Sequence, residues 1–217
     1  MVLCCIIAVL NAYLLGNLNG AVCMSALFAH EDVRQHGSGN AGLTNFVRSY
    51  GAGKALYVIL IDGGKAVLGC LCAGLMLEPF GCYMEGVILG GIAVLLGHIY
   101  PAVLGFRGGK GIMSGFAIAM VADWRIGLGL LLIFVVTYAL TRYVSLGSIL
   151  GAVGFCVGFA VFHHDSLFVM LGGIFMGLFT IWMHRANIQR LIKGTERKTN
   201  LFKNDYFKYQ DIKKNRP

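Results

Sequence analysis

The chain has 217 residues, of which 57% are hydrophobic and only 13% charged, with 18 Lys and Arg against 10 Asp and Glu. A water-soluble domain carries about 25% charged residues. This composition, with a mean hydropathy of +0.73, excludes an ordinary soluble fold and leaves a polytopic membrane protein.

The apolar runs lie at residues 2–29, 52–77, 84–104, 112–122, 126–140, 146–162 and 166–184. Most approach the roughly 20 residues that cross a bilayer as a helix. Residues 2–29 are apolar for too long, and lack the preceding basic region, to be a cleavable leader; they read as a first membrane helix. The run at 112–122 is about half a span and reads as a re-entrant helix or one that starts at the glycines 108–109. The expectation is an all-α fold of about seven transmembrane helices; a five-crossing version survives if 112–122 and one neighbour do not cross. No polar linker divides the chain, so residues 1–197 read as one membrane-integral domain and 198–217 as a basic tail.

Charge placement tests that count. With seven crossings, residues 30–54, 105–111, 141–145 and 185–217 share one side, and they hold 16 of the 18 basic residues. Basic connections stay in the cytoplasm, which puts the N-terminus outside and the C-terminus inside. Residues 185–217 hold ten basic and three acidic residues with Phe202, Tyr206, Phe207 and Tyr209 interleaved. That pattern fits a juxtamembrane segment facing anionic lipid better than a nucleic-acid partner. Seven cysteines without a CxxC pair read as small residues of membrane helices, with neither a metal site nor a cofactor expected.

Three connections carry chemistry. The first, HEDVRQHGSGNAGLTNFVRSYGAGK, supplies five glycines (Gly39 among them) with Ser38, Asn40, Thr44, Asn45 and Arg48. Glycine lets backbone N–H groups turn toward an anion, and arginine offers a forked donor suited to phosphate. Its GxGxxG match follows a membrane helix rather than a strand, so it is not a dinucleotide fingerprint. The second, GHIYPAVLGFRGGKGI, holds His98, Gly108, Gly109 and Lys110. It lacks the Walker spacing, yet a glycine turn into a helix aims free N–H groups at an anion. The third, TRYVSLGSI, holds Arg142 and Ser145 and is weak alone. At the end of the last run, His184 and Asn187 are three apart and share a helical face. Asp62 and Lys65, an i, i+3 pair inside an apolar run, are costly in lipid and read first as a structural ion pair facing the bundle. Three loops rich in Gly, Ser, Asn, Arg and Lys on one side imply a site for a small phosphorylated molecule.

GSGNAGLTNFVRSYG resembles the first signature of the bacterial PlsY family, the acyl-phosphate:glycerol-3-phosphate acyltransferases. GHIYPAVLGFRGGKG resembles the second, TRYVSLGSI the third, and MHRANIQRLIKGTE the family's C-terminal segment. The likeness runs in order over residues 1 to about 197. It implies a seven-helix fold in the bacterial inner (cytoplasmic) membrane, and transfer of an acyl group from acyl phosphate to the 1-hydroxyl of glycerol 3-phosphate. By the same likeness Arg48 and Lys110 hold phosphate. Ser38, Gly39, Asn40, Thr44 and Asn45 line the site, as do Gly108 and Gly109. Ser145, His184 and Asn187 bind substrate, and His98 belongs to the second signature, leaning toward holding its loop in shape. Ser38, Arg48, Lys110, His184 and Asn187 are the expected catalytic set. Leu43 and Ala186 depart from the usual pattern.

An acyl phosphate is already activated, so no covalent acyl-enzyme is required. No GxSxG elbow is present, and no Asp follows a His at HxxxxD spacing. A transporter would place its polar site near the midplane, and a phosphotransferase would need a carboxylate cluster for metal; the sequence shows neither arrangement.

Overall fold

The computed structural model describes residues 1–199, and every regular element among them is helical. In chain order these are α1 (Val2–Gly16), α2 (Gly20–Ala29), α3 (Leu43–Tyr50), α4 (Ala55–Leu77), α5 (Tyr83–Ile99), α6 (Ile112–Ala122), α7 (Trp124–Thr141), α8 (Val144–Phe162), α9 (Leu167–Met183) and α10 (Arg185–Ile192). Short 3-10 turns precede α4 and follow α5.

Among the described residues, five stretches are long and apolar enough to cross a membrane: Val2–Ala29, Ala52–Phe80, Tyr83–Leu104, Trp124–Thr141 and Val144–Phe162. A sixth arises if α9 and α10, bent by 55°, count as one span. Helix α6 has 11 residues, about 16 Å at 1.5 Å per residue, half the hydrocarbon thickness.

The first run is not the single uninterrupted helix expected from its hydropathy. It breaks at Asn17–Asn19, where the Asn19 side chain caps α2 by accepting the Val22 N–H at 3.0 Å. A break strips the carbonyls of Gly16 and Leu18 and the N–H of Gly20 of helical partners, and each such group left bare in lipid costs several kcal/mol. Helix α4 supplies the replacements. Lys65 Nζ donates to Gly16 O (3.2 Å) and to Leu18 O, while Asp62 Oδ1 accepts the Gly20 N–H at 3.0 Å. The two side chains pair with each other at 3.0 Å, both buried. The i, i+3 pair therefore faces the bundle and staples a broken helix.

Helix α5 is the centre, packed against α1, α4, α6 and α9. Small residues allow the close crossings that membrane helices favour: a Cβ on Gly97 would stand 2.9 Å from the Gly16 Cα, and one on Gly90 would stand 2.5 Å from the Gly69 carbonyl. Val87, Ile88, Val94, Leu95, Ile118, Phe159 and Met176 fill the core around it. The first connection is not all loop. It contains α3, whose Phe46 and Tyr50 bury against Met24, Val33 and Val58 and leave Arg48 on the other face.

Candidate active site

The break in the first span fixes two of the three loops. Asn19 Nδ2 donates to Ala41 O at 2.9 Å, and Asn17 Oδ1 accepts the Val103 N–H at 3.2 Å. The second loop then folds back on the end of α5: Gly108 N–H donates to Ile99 O and Gly109 N–H to His98 O, each at 3.1 Å. A Cβ on Gly109 would lie 2.7 Å from Ala41 O, and one on Gly108 would lie 2.8 Å from Ile99 O. Glycine is thus required where the first and second loops meet. Buried beneath them is His98, its Nδ1 2.8 Å from Lys65 Nζ. Gly111 adopts a left-handed φ of 82° at the start of α6, whose first-turn N–H groups have no intrahelical partner.

Beside this turn the charged groups converge. Lys110 Nζ donates to Asn187 Oδ1. Asn187 Nδ2 donates to Glu196 Oε1 at 2.9 Å, and Ser145 Oγ donates to the same oxygen at 2.8 Å. Arg190 Nε donates to Glu196 Oε2 at 2.6 Å. Arg48 Nε donates to Thr199 Oγ1 at 2.9 Å, and its Nη2 reaches Arg197 O at 3.2 Å. Burial opposes the Glu196 charge, and the donors Asn187, Arg190 and Ser145 outweigh it, so the carboxyl sits below its usual range. Burial, joined by the like charges of Arg190 and Arg48 and only partly offset by Glu196, pushes Lys110 down to about 8. Three cations, with Arg197 beside Arg48, thus gather around one carboxylate.

His184 is buried at the α9–α10 bend, with Nδ1 2.8 Å from Thr180 O. A carbonyl only accepts, so in the neutral ring Nδ1 carries the hydrogen and Nε2 keeps its lone pair.

The model of the family described as glycerol-3-phosphate acyltransferase matches residues 6–194. The chain belongs to this family. A glycerol-3-phosphate acyltransferase of Finegoldia magna is 37% identical over 186 residues, covering 86% of this chain and 91% of that protein. One from Synechococcus sp. (strain CC9902) is 36% identical over 196 residues, covering 90% and 96%. The crystal structure of the integral membrane glycerol 3-phosphate acyltransferase PlsY in its glycerol 3-phosphate form superposes with a TM-score of 0.82 at 31% identity, covering 90% of this chain and 96% of that one. Its lysophosphatidic acid form gives 0.79 at 30%, covering 91% and 96%.

Of the residues that the family signatures pick out, Arg48, Lys110, Ser145 and Asn187 come together around Glu196, with His184 one helical turn from Asn187. Gly108, Gly109 and His98 form the floor. Ser38 and Gly39 lie on an exposed turn that leads through Asn40 into α3, of which Thr44 is the second residue; no hydrogen bond joins them to the Lys110 cluster among the described residues. Asn45 is buried and holds that turn together, donating to Val33 O and His36 O at 3.0 Å and accepting the Ser38 N–H at 2.9 Å.

Sequence reasoning missed Glu196 and Arg190, although both stand inside the C-terminal family segment; the signal was a lone acid in a basic stretch. It also passed over Asn17, Asn19 and Thr199. Thr199 is buried, donates its N–H to Arg142 O (3.0 Å) and accepts from Tyr138 on its own carbonyl (2.9 Å), so packed chain continues past the expected boundary at 197. The rest of the expected tail, residues 200–217, lies outside the described residues.

Proposed function

We propose that this protein transfers an acyl group from acyl phosphate to the 1-hydroxyl of glycerol 3-phosphate, giving 1-acylglycerol 3-phosphate and phosphate as the first acylation of phospholipid synthesis. The observation that carries the reading is the charge surplus: Arg48, Lys110 and Arg190, with Arg197 beside Arg48, against Glu196 leave at least two positive charges, enough to match a phosphate dianion. Solved relatives in glycerol 3-phosphate and lysophosphatidic acid forms support that substrate and product. The donor rests on the signatures. The concentration of basic connections on the site's side supports a cytoplasmic-facing site in the cell membrane.

The hydroxyl oxygen attacks the acyl carbonyl. The new ester C–O bond forms, the bond from acyl carbon to phosphate oxygen breaks, and phosphate leaves with the electron pair. Lys110, Arg48 and the α6 N-terminus hold the anions in register and offset charge on the departing group. The hydroxyl proton passes to the leaving phosphate. A second reading makes His184 the base, favoured by its Nε2 lone pair.

The test is phosphate release by purified protein given both substrates, run beside acyl-CoA as donor. Release that needs acyl phosphate and glycerol 3-phosphate together is expected; none from folded protein overturns the reading. His184→Ala keeps substrate binding and most of the turnover if phosphate takes the proton, and loses about 10²-fold or more if the histidine does.

A further inference from the structure

The first and second loops are joined by one side chain outside the cluster described above. Arg34 Nη1 donates to Leu104 O at 2.9 Å and to Arg107 O at 3.1 Å. Between those carbonyls lie Gly105 and Phe106, both left-handed, with φ of 65° and 60°. A left-handed phenylalanine is unfavourable by about 1–2 kcal/mol, so this turn persists only while its surroundings hold it. Three and four residues on from Phe106 stand Gly109 and Lys110. The remaining edge of the guanidinium is occupied by Asp32: Nη2 to Oδ2 at 2.7 Å, and Nε to Oδ1 and Oδ2 at 3.1 and 3.0 Å. Asp32 also accepts the Arg34 N–H at 2.9 Å, capping the short 3-10 turn Val33–Gln35 that carries Arg34.

We propose that Arg34, braced by Asp32, is a positioning residue for the phosphate subsite. It clamps the carbonyls on either side of the left-handed turn and so fixes where Lys110 and the start of α6 point. The proposal rests on the acyltransferase reading. Arginine suits this role because of its fork. One guanidinium holds two carbonyls and a carboxylate at once, which an ammonium on a flexible stem cannot reproduce. The hydrogen-bond contrast supports it. The Gly108 and Gly109 N–H groups are tied to α5, but the Leu104 and Arg107 carbonyls are held by a side chain of another loop.

The test uses the full chain in detergent. Glycerol 3-phosphate binding is measured by calorimetry without donor, beside steady-state kinetics and thermal melting. Arg34→Ala is expected to raise both Kd and KM for glycerol 3-phosphate about tenfold, with kcat within threefold and melting little changed, because misplacement rather than lost chemistry is the defect. Arg34→Lys falls between. Asp32→Asn moves Kd in the same direction by a smaller factor. The double variant is no worse than Arg34→Ala, because Asp32 acts only through Arg34. A wild-type protein without turnover would count against the acyltransferase reading. An active wild type with Arg34→Ala binding within twofold of it overturns this inference instead. A fall in kcat at unchanged KM that tracks lost folded protein overturns it too, since that marks a structural role. If Arg34→Ala does not fold, Asp32→Asn decides: a threefold or larger rise in Kd supports the clamp, and an unchanged Kd removes it.

Discussion

The ion pair within α4 and the charge cluster beside α6 are built on opposite plans. Beneath the loops, Asp62 and Lys65 match charge for charge, touch His98, and give three bonds to backbone that the break in the first span left bare. Beside α6, Arg48, Lys110 and Arg190, with Arg197 next to Arg48, face Glu196 alone. The first cluster is electrically closed; the second keeps a net positive charge, the surplus on which the proposed anion site rests. Balance is a mark of structure, and surplus is a mark of binding.

That contrast can be broken by removing one cation from each cluster. Lys65→Met strands a buried carboxylate and two carbonyls, and should cost about 3–5 kcal/mol of stability, read by denaturation in detergent. A loss under about 1 kcal/mol would show that the staple is dispensable. Asp62→Leu with Lys65→Met should recover only part of the loss, because the Gly16, Leu18 and Gly20 backbone groups stay unpaired. Lys110→Ala should do the reverse: kcat/KM falls about 10²–10³-fold, while stability holds or rises slightly as like-charge repulsion is relieved. Equal destabilisation by both substitutions would erase the distinction.

A smaller effect sharpens it. Lys110 is pushed down to about 8 from a lysine's ordinary 10.5. Glycerol 3-phosphate affinity should therefore weaken as pH rises through about 8, by at most about tenfold per unit, and Lys110→Arg should flatten the profile because arginine stays charged. Protein stability runs the other way. The folded chain binds this proton less tightly than the unfolded chain, so the penalty for burying the charged lysine is present below about 8 and is relieved between there and 10.5. A flat binding profile from about pH 7 to 9 would remove Lys110 from the anion site.

The all-helical architecture was legible because lipid writes itself into composition. The half-length run at 112–122 emerged with those same bounds in α6. The break at Asn17–Asn19 was not seen, since a long apolar run hides a few polar residues in its average; the local signal was Asn-Leu-Asn-Gly, a turn sequence. Arg48, Lys110, Ser145 and Asn187 were singled out through the signatures, and the structure brings the four together around Glu196. Glu196 was not, because its meaning comes from Ser145, 51 residues away, and nothing local distinguishes it from an ordinary acid in a basic tail. Asn45 was read as a site-lining donor; the structure shows both its amide hydrogens donated to the loop that carries Ser38.

The staple between α4 and the first span also sets an order of events during synthesis. Gly16, Leu18 and Gly20 leave the ribosome more than 40 residues ahead of the side chains that satisfy them. Until α4 enters the membrane, the first span holds a polar defect that lipid cannot solvate. That span is therefore unfinished on its own, and α4 supplies the groups that complete it.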